Sequence, residues 1–126
     1  MGANADAAKE AYDAFSRGDL QSLNFSDDVV WVTSDELPLG GETSGRDAVL
    51  ENFSQIPNYW SEFSVTPERF IEGDDTVVVT GTQRATGKGG SFEAPFAHVL
   101  TYNDQGQATR GEFFGDSAKA KAALGE

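Results

Sequence analysis

The chain has 126 residues, nine Lys+Arg against 21 Asp+Glu for a net charge of −12, and no cysteine. That length suits one domain, residues 1–126, with a core large enough to need no staples. Lack of cysteine excludes disulfides, thiolate catalysis and cysteine-built zinc sites, while the acidic field opposes nucleic-acid and anionic-membrane partners.

Taken in chain order, Ala8, Ala11, Tyr12 and Phe15 recur at helical spacing and predict a helix from about Asp6 to Arg17. Asn4 is available as its cap and Gly18 as its stop. Asp19 then caps one short turn, "LQSL". "DDVVWVTS" has strand composition, with Trp31 and Thr33 on one face and Val30 and Val32 on the other. "DELPLGGETSG" reads as a loop. Ser44 and Asp47 then have the spacing of a capping box, opening a helix that carries Val49, Phe53 and Ile56 and ends by Pro57.

The remainder reads as four strands, "EFSVTPERFIEG", "DTVVVTGTQRATG", "SFEAPFAHVLTY" and "QATRGEFFG", separated by the turns "GDD", "GKGG" and "NDQG". The tail "DSAKAKAALGE" can add a short helix. Helices followed by a meander of long strands predict an α+β fold, a cone-shaped curved antiparallel sheet with helices packed on its concave face. Such a cone encloses a small-molecule pocket. "TVVVT" and "FAHVL" are apolar on both faces, so the outer sheet face is expected to bury itself in a homodimer.

"AYDAFSRGDL", "SDDVVWV", "GETSGRDAVLENF" and "FAHVLTYNDQGQATRGEFFGD" together resemble SnoaL-like proteins of the ketosteroid isomerase-related group, in the nuclear-transport-factor-like superfamily. The likeness covers nearly the whole chain and implies the cone fold. It leaves chemistry open, since isomerases, cyclases, epoxide hydrolases and non-catalytic binders share that fold. Steroid isomerases of this kind use an Asp base with an oxyanion hole made by a Tyr and a protonated Asp. Carried over by position, the base falls near Thr33, with Asp35 two residues on and able to reach the same side, the oxyanion Asp at Ala97, a supporting Tyr at Phe53, and the Tyr of the first helix at Ala11, beside Tyr12. None of these positions keeps its group, which argues against steroid isomerisation. The resemblance to SnoaL cyclases implies an acid in the last strand, and Glu112 stands there.

Whether Glu112 meets His98, the only histidine, depends on the register of the hairpin at "NDQG". A type I turn at Asn103 with Gly106 in the left-handed position sets Asn103 opposite Gln107 and His98 opposite Glu112. A four-residue loop sets Ala97 opposite Glu112 and turns His98 away. The expected pocket therefore draws on Tyr12, Trp31, Thr33, Phe53, Ala97, Val99 and Phe114, with Glu112 and His98 as acid–base candidates. Each aromatic, and His98 itself, also fits a plain packing role.

Two function classes follow: a pocket protein for a small hydrophobic molecule, and a cofactor-independent isomerase, cyclase or hydrolase moving protons on a small carbonyl compound or lactone through Glu112. No metal or cofactor is expected, because one histidine and no cysteine make a poor transition-metal site and "GKGG" lacks phosphate-loop spacing. A polar N-terminus and the lack of a long apolar run point to a cytoplasmic location. The acidic composition fits either ordinary solubility or a saline cytoplasm.

Overall fold

The computed structural model describes residues 2–125. Helix α1 spans Ala3–Ser16 and so begins earlier than its sequence signals suggest. Asn4 lies inside the helix rather than capping it. The orphan N–H of Ala5 is satisfied instead by the Glu72 carboxylate, at 2.8 Å across 67 residues of chain. Gly18, at φ 74°, turns the chain out of the helix, and a single 3-10 turn, Leu20–Ser22, follows.

Strand β1 (Phe25–Thr33) is followed by β2 (Gly41–Ser44), a short strand inside the segment read as loop. Ser44 ends β2 and pairs with Val30, so it does not cap the next helix. Gly45, at φ 97°, occupies the cap position of α2 (Arg46–Ser54) without a side-chain hydrogen bond. Pro57 sits in the first turn of a further helical turn, α3 (Ile56–Tyr59), where its missing N–H has no cost. Four strands follow, β3 (Glu62–Gly73), β4 (Thr76–Gly87), β5 (Gly90–Tyr102) and β6 (Ala108–Phe114), then α4 (Ser117–Leu124).

The six strands form one curved, unclosed sheet in the order β2-β1-β6-β5-β4-β3. Neighbours are antiparallel with one exception: β1 runs parallel to β6, setting Trp31 beside Gly111. This corrects the expectation of a wholly antiparallel sheet. Ala5, Ala8 and Tyr12 of α1 and Val49 and Leu50 of α2 are buried with the concave stripes of β4 and β5, including Val77, Val79, Phe96 and Leu100.

The β5–β6 hairpin decides which side chains share that concave face. Its turn follows the sequence signals: Asn103 N donates to Gln107 O at 2.9 Å, and Gly106 is left-handed at φ 76°. The Asn103 side chain accepts from the N–H groups of Gln105 and Gln107. Beyond the turn Tyr102 pairs with Ala108 but Thr101 pairs with Arg110, so Thr109 is an extra residue in β6. This bulge shifts the ladder by one. His98 stands opposite Phe113, Val99 opposite Glu112 and Ala97 opposite Phe114. Both expected registers are thereby overturned, and His98 and Glu112 face opposite sides of the sheet.

Candidate functional site

The concave face and its helices enclose a cavity of about 190 Å³. Helix α1 contributes Ala11, Tyr12 and Phe15; β1 contributes Trp31 and Thr33; α2 contributes Asn52 and Phe53. The far strands add Phe63, Gln83, His98 and Phe113, and α4 adds Ala120. The loop after β1 closes one side with Leu37, Pro38 and Leu39. It is tied to α2 by Asn52 Nδ2, which donates to Leu39 O at 3.0 Å, and reaches α4 through Glu36, 3.7 Å from Lys121.

Aromatic edges dominate the wall. Trp31 meets Phe53 at 5.1 Å and Phe25 at 5.5 Å between ring centroids. Its indole lies across Gly111, where a Cβ would stand 2.2 Å from the ring. Glycine is what permits that approach. Phe15 packs edge-on against Phe53 at 5.9 Å.

His98 is 8% exposed and sits among Tyr12, Trp31, Phe96 and Phe113, with the Phe113 centroid 4.8 Å away. Its Nδ1 is hydrogen-bonded to the Tyr12 hydroxyl. Burial pushes the imidazole pKa down to about 3, because no neighbour supplies the hydration a cation would lose. It is neutral at physiological pH. Burial likewise raises the Tyr12 phenol, with proximity to Tyr102 adding to the effect, and raises Tyr102, which Glu72 reinforces. Both phenols stay protonated donors.

Glu112 lies outside this cavity. It faces the convex side, opposite Val99, and its Oε1 is 3.4 Å from Arg110 Nε in a half-exposed ion pair. Ala97 and Val99 occupy the same convex stripe, and Phe114 is 56% exposed. The geometry thus gathers His98, Tyr12, Trp31, Thr33 and Phe53 around one space and leaves Glu112, Ala97, Val99 and Phe114 outside it.

Several polar groups in the wall escaped the sequence reading, Gln83 and Asp116 among them. Gln83 is 7% exposed, and its carboxamide has no hydrogen-bond partner among the described residues. It stands on the stripe of β4 that carries Val77 and Val79, where a lone polar residue on an apolar face was its visible signal. Asp116, the one charged residue of the wall among those described, caps α4 by accepting from Lys119 N at 2.9 Å. No group of three or more His, Cys, Asp or Glu side chains able to hold a metal occurs among the described residues. Nor is any helix among them long and apolar enough to cross a membrane.

A curved, unclosed sheet wrapped over helices around an apolar cavity defines a nuclear-transport-factor-like α+β protein. Residues 8–111 match the SnoaL-like domain, and the chain belongs to that family. Among solved structures, it is similar to an NTF2-like protein of unknown function from Burkholderia pseudomallei, at 31% identity and a TM-score of 0.92 over 100% of both chains. It is also similar to TerC, whose structure was co-crystallised with polyporic acid, at 28% identity and a TM-score of 0.90 over 99% of this chain and 100% of that one. A putative SnoaL-like polyketide cyclase from Shewanella putrefaciens shares the fold, with 14% identity and a TM-score of 0.81 over 99% and 98% of the two chains. No curated protein matches the chain in sequence.

Proposed function

We propose that the protein holds one small, uncharged, largely aromatic molecule in this cavity. The observation that carries the reading is the pairing of an aromatic wall with polar groups that are almost all neutral, namely His98, Tyr12, Gln83, Asn52 and Thr33. A charged ligand loses hydration on entry and finds no cation in the wall among the described residues to replace it. A volume near 190 Å³ lies below the range of about 300–1,000 Å³ usual for drug-sized ligands, which favours a small occupant. The 28%-identical neighbour co-crystallised with polyporic acid supports a small-molecule role for this fold.

Acid–base turnover through Glu112 draws no support from a side chain on the convex face. A catalytic version of this site would rest on His98 and Tyr12 as uncharged hydrogen-bonding groups.

Calorimetric titration of neutral monocyclic aromatics tests the reading. Saturable binding is expected, weakened at least tenfold by the cavity-filling Ala11→Phe. Binding unchanged in a folded Ala11→Phe protein, or none in the parent, overturns it.

We further infer a homodimer through the convex face. Val78, Ala97, Val99 and Phe114 present apolar surface there. The ion pairs Arg84–Glu93 and Arg110–Glu112 offer both signs of charge to an identical partner. Sedimentation showing a monomer at micromolar concentration would overturn this.

A further inference from the structure

The Tyr12–His98 contact has two possible polarities, with opposite consequences for the cavity. In one, the Tyr12 hydroxyl donates to Nδ1, and the imidazole carries its proton on Nε2. In the other, Nδ1–H donates to the phenol oxygen, and Nε2 is a bare acceptor. The phenol has no other hydrogen-bond partner among the described residues, whether backbone or side chain. The second polarity therefore strands a buried hydroxyl proton. The first uses the hydroxyl proton and the Nδ1 lone pair together.

Nε2 has no partner among the described residues either. Yet no wholly buried side-chain nitrogen or oxygen among them lacks a partner. Nε2 therefore keeps contact with the cavity that His98 lines. Because the ring stays neutral, Nδ1 remains an acceptor for Tyr12 across the physiological range. The rings of Trp31, Phe96 and Phe113 hold the imidazole on three sides and oppose a flip that would exchange the two nitrogens.

We propose that Tyr12 fixes His98 in the Nε2–H tautomer, so that the cavity presents a single neutral donor and selects aromatic molecules carrying a carbonyl oxygen at that end. The inference rests on the cavity-binding reading above and names the ligand's chemical class. Tyr12 is a positioning residue: it sets which imidazole nitrogen donates. His98 is the selecting residue.

The experiment has two arms. Because the chain has one histidine, the side-chain nitrogens of His98 are unambiguous in a long-range ¹⁵N–¹H spectrum of the untagged, ligand-free protein. The expected pattern is a protonated Nε2 and a bare Nδ1, unchanged from pH 8 to pH 5, with mixed tautomers in Tyr12→Phe. A proton on Nδ1 in the parent overturns the proposal.

In the second arm, acetophenone and its near-isostere α-methylstyrene, which replaces C=O by C=CH₂, are titrated by NMR. Relative to the parent, the ratio of the two affinities is expected to fall about five- to tenfold in His98→Leu, the worth of one neutral hydrogen bond. In Tyr12→Phe a smaller fall is expected. If both probes bind and the ratio is the same in all three proteins, the carbonyl selection fails while the binding reading stands. If neither probe binds, the binding reading fails and this inference with it.

Discussion

The two faces of β5 are both largely apolar and have opposite fates. Phe96, His98, Leu100 and Tyr102 are buried against the helices, whereas Pro95, Ala97, Val99 and Thr101 lie on the convex side, where none is fully buried. Hydrophobicity does not separate the stripes. What separates them is which neighbour each meets: α1 with its Tyr12 on one side, the Arg110–Glu112 pair on the other. Face assignment on this strand is thus a matter of register, and a single extra residue, Thr109, sets it across the hairpin.

The largest effect separating the faces should come from acid. The unfolded imidazole takes up a proton near pH 6.5, while the native one, packed among uncharged rings and a protonated phenol, refuses it down to about pH 3. A depressed native pKa means that stability is fully present above pH 6.5 and is lost as pH falls through that window. Between pH 7.5 and 5 the expected loss is about 2 kcal/mol from this residue alone, and more below. Urea unfolding at the two pH values checks it. His98→Leu should flatten the dependence, and a parent whose stability is the same at both values contradicts a buried neutral imidazole.

A comparable but purely steric contrast lies in adjacent residues of β6. Gly111 faces the cavity under Trp31, and a methyl there meets the indole at 2.2 Å. Gly111→Ala should destabilise by about 1–3 kcal/mol through overpacking and shift the Trp31 emission. Glu112→Ala, one residue on and on the other face, should do neither. Equal effects in the two variants would mean that the two residues do not lie on opposite faces of the sheet.

Much of this was legible in the sequence, for identifiable reasons. The four long strands announce themselves by β-branched and aromatic composition between Gly- and Asp-rich turns, and α1 by its alanine and aromatic spacing. The alternation that puts Trp31 and Thr33 together needs only a period of two, and both line the cavity. Strand β2, "GETS", carries no hydrophobic signal, being held by its pairing with β1 rather than by burial. Thr109 has nothing to mark a bulge, since neither glycine nor proline stands there. The resemblance put its key positions at Ala11 and Ala97, and the cavity takes a polar group one residue on from each, Tyr12 and His98. A shift of one residue is small in an alignment and complete on a strand. The carboxylate that caps α1 is 67 residues from the N–H it serves, beyond any local signal.

That long-range cap gives a smaller, testable effect. Glu72→Ala leaves the Ala5 N–H without its acceptor and the positive end of α1 without a nearby carboxylate. The expected cost is about 1 kcal/mol, with faster amide exchange confined to the first turn of α1. Because Tyr12 lies on the same helix, affinity for aromatic probes should fall only slightly. Exchange as slow as in the parent would mean that Glu72 does not cap the helix.

The smallest expected effect tests the register most sharply. Glu112→Gln removes one charge from an ion pair whose partners are both partly exposed, 43% for Arg110 and 32% for Glu112 by side chain. Such pairs are screened and contribute little, so stability should change by less than about 0.5 kcal/mol. Cavity binding should be untouched, since Glu112 contacts the convex surface and not the ligand space. Were the hairpin free of its bulge, Glu112 would face His98 across a buried pair, and the same substitution would alter both affinity and the imidazole spectrum. Urea unfolding, aromatic-probe titration and the His98 ¹⁵N spectrum of Glu112→Gln therefore examine the placement of Thr109. Deleting Thr109 supplies the converse: it removes the one unpaired residue, so an even ladder from Tyr102–Ala108 still sets His98 opposite Phe113 and Val99 opposite Glu112. That variant should therefore keep the cavity binding and the His98 spectrum of the parent, and a change in the imidazole spectrum like that of a misplaced Glu112 would show that Thr109 is not the extra residue.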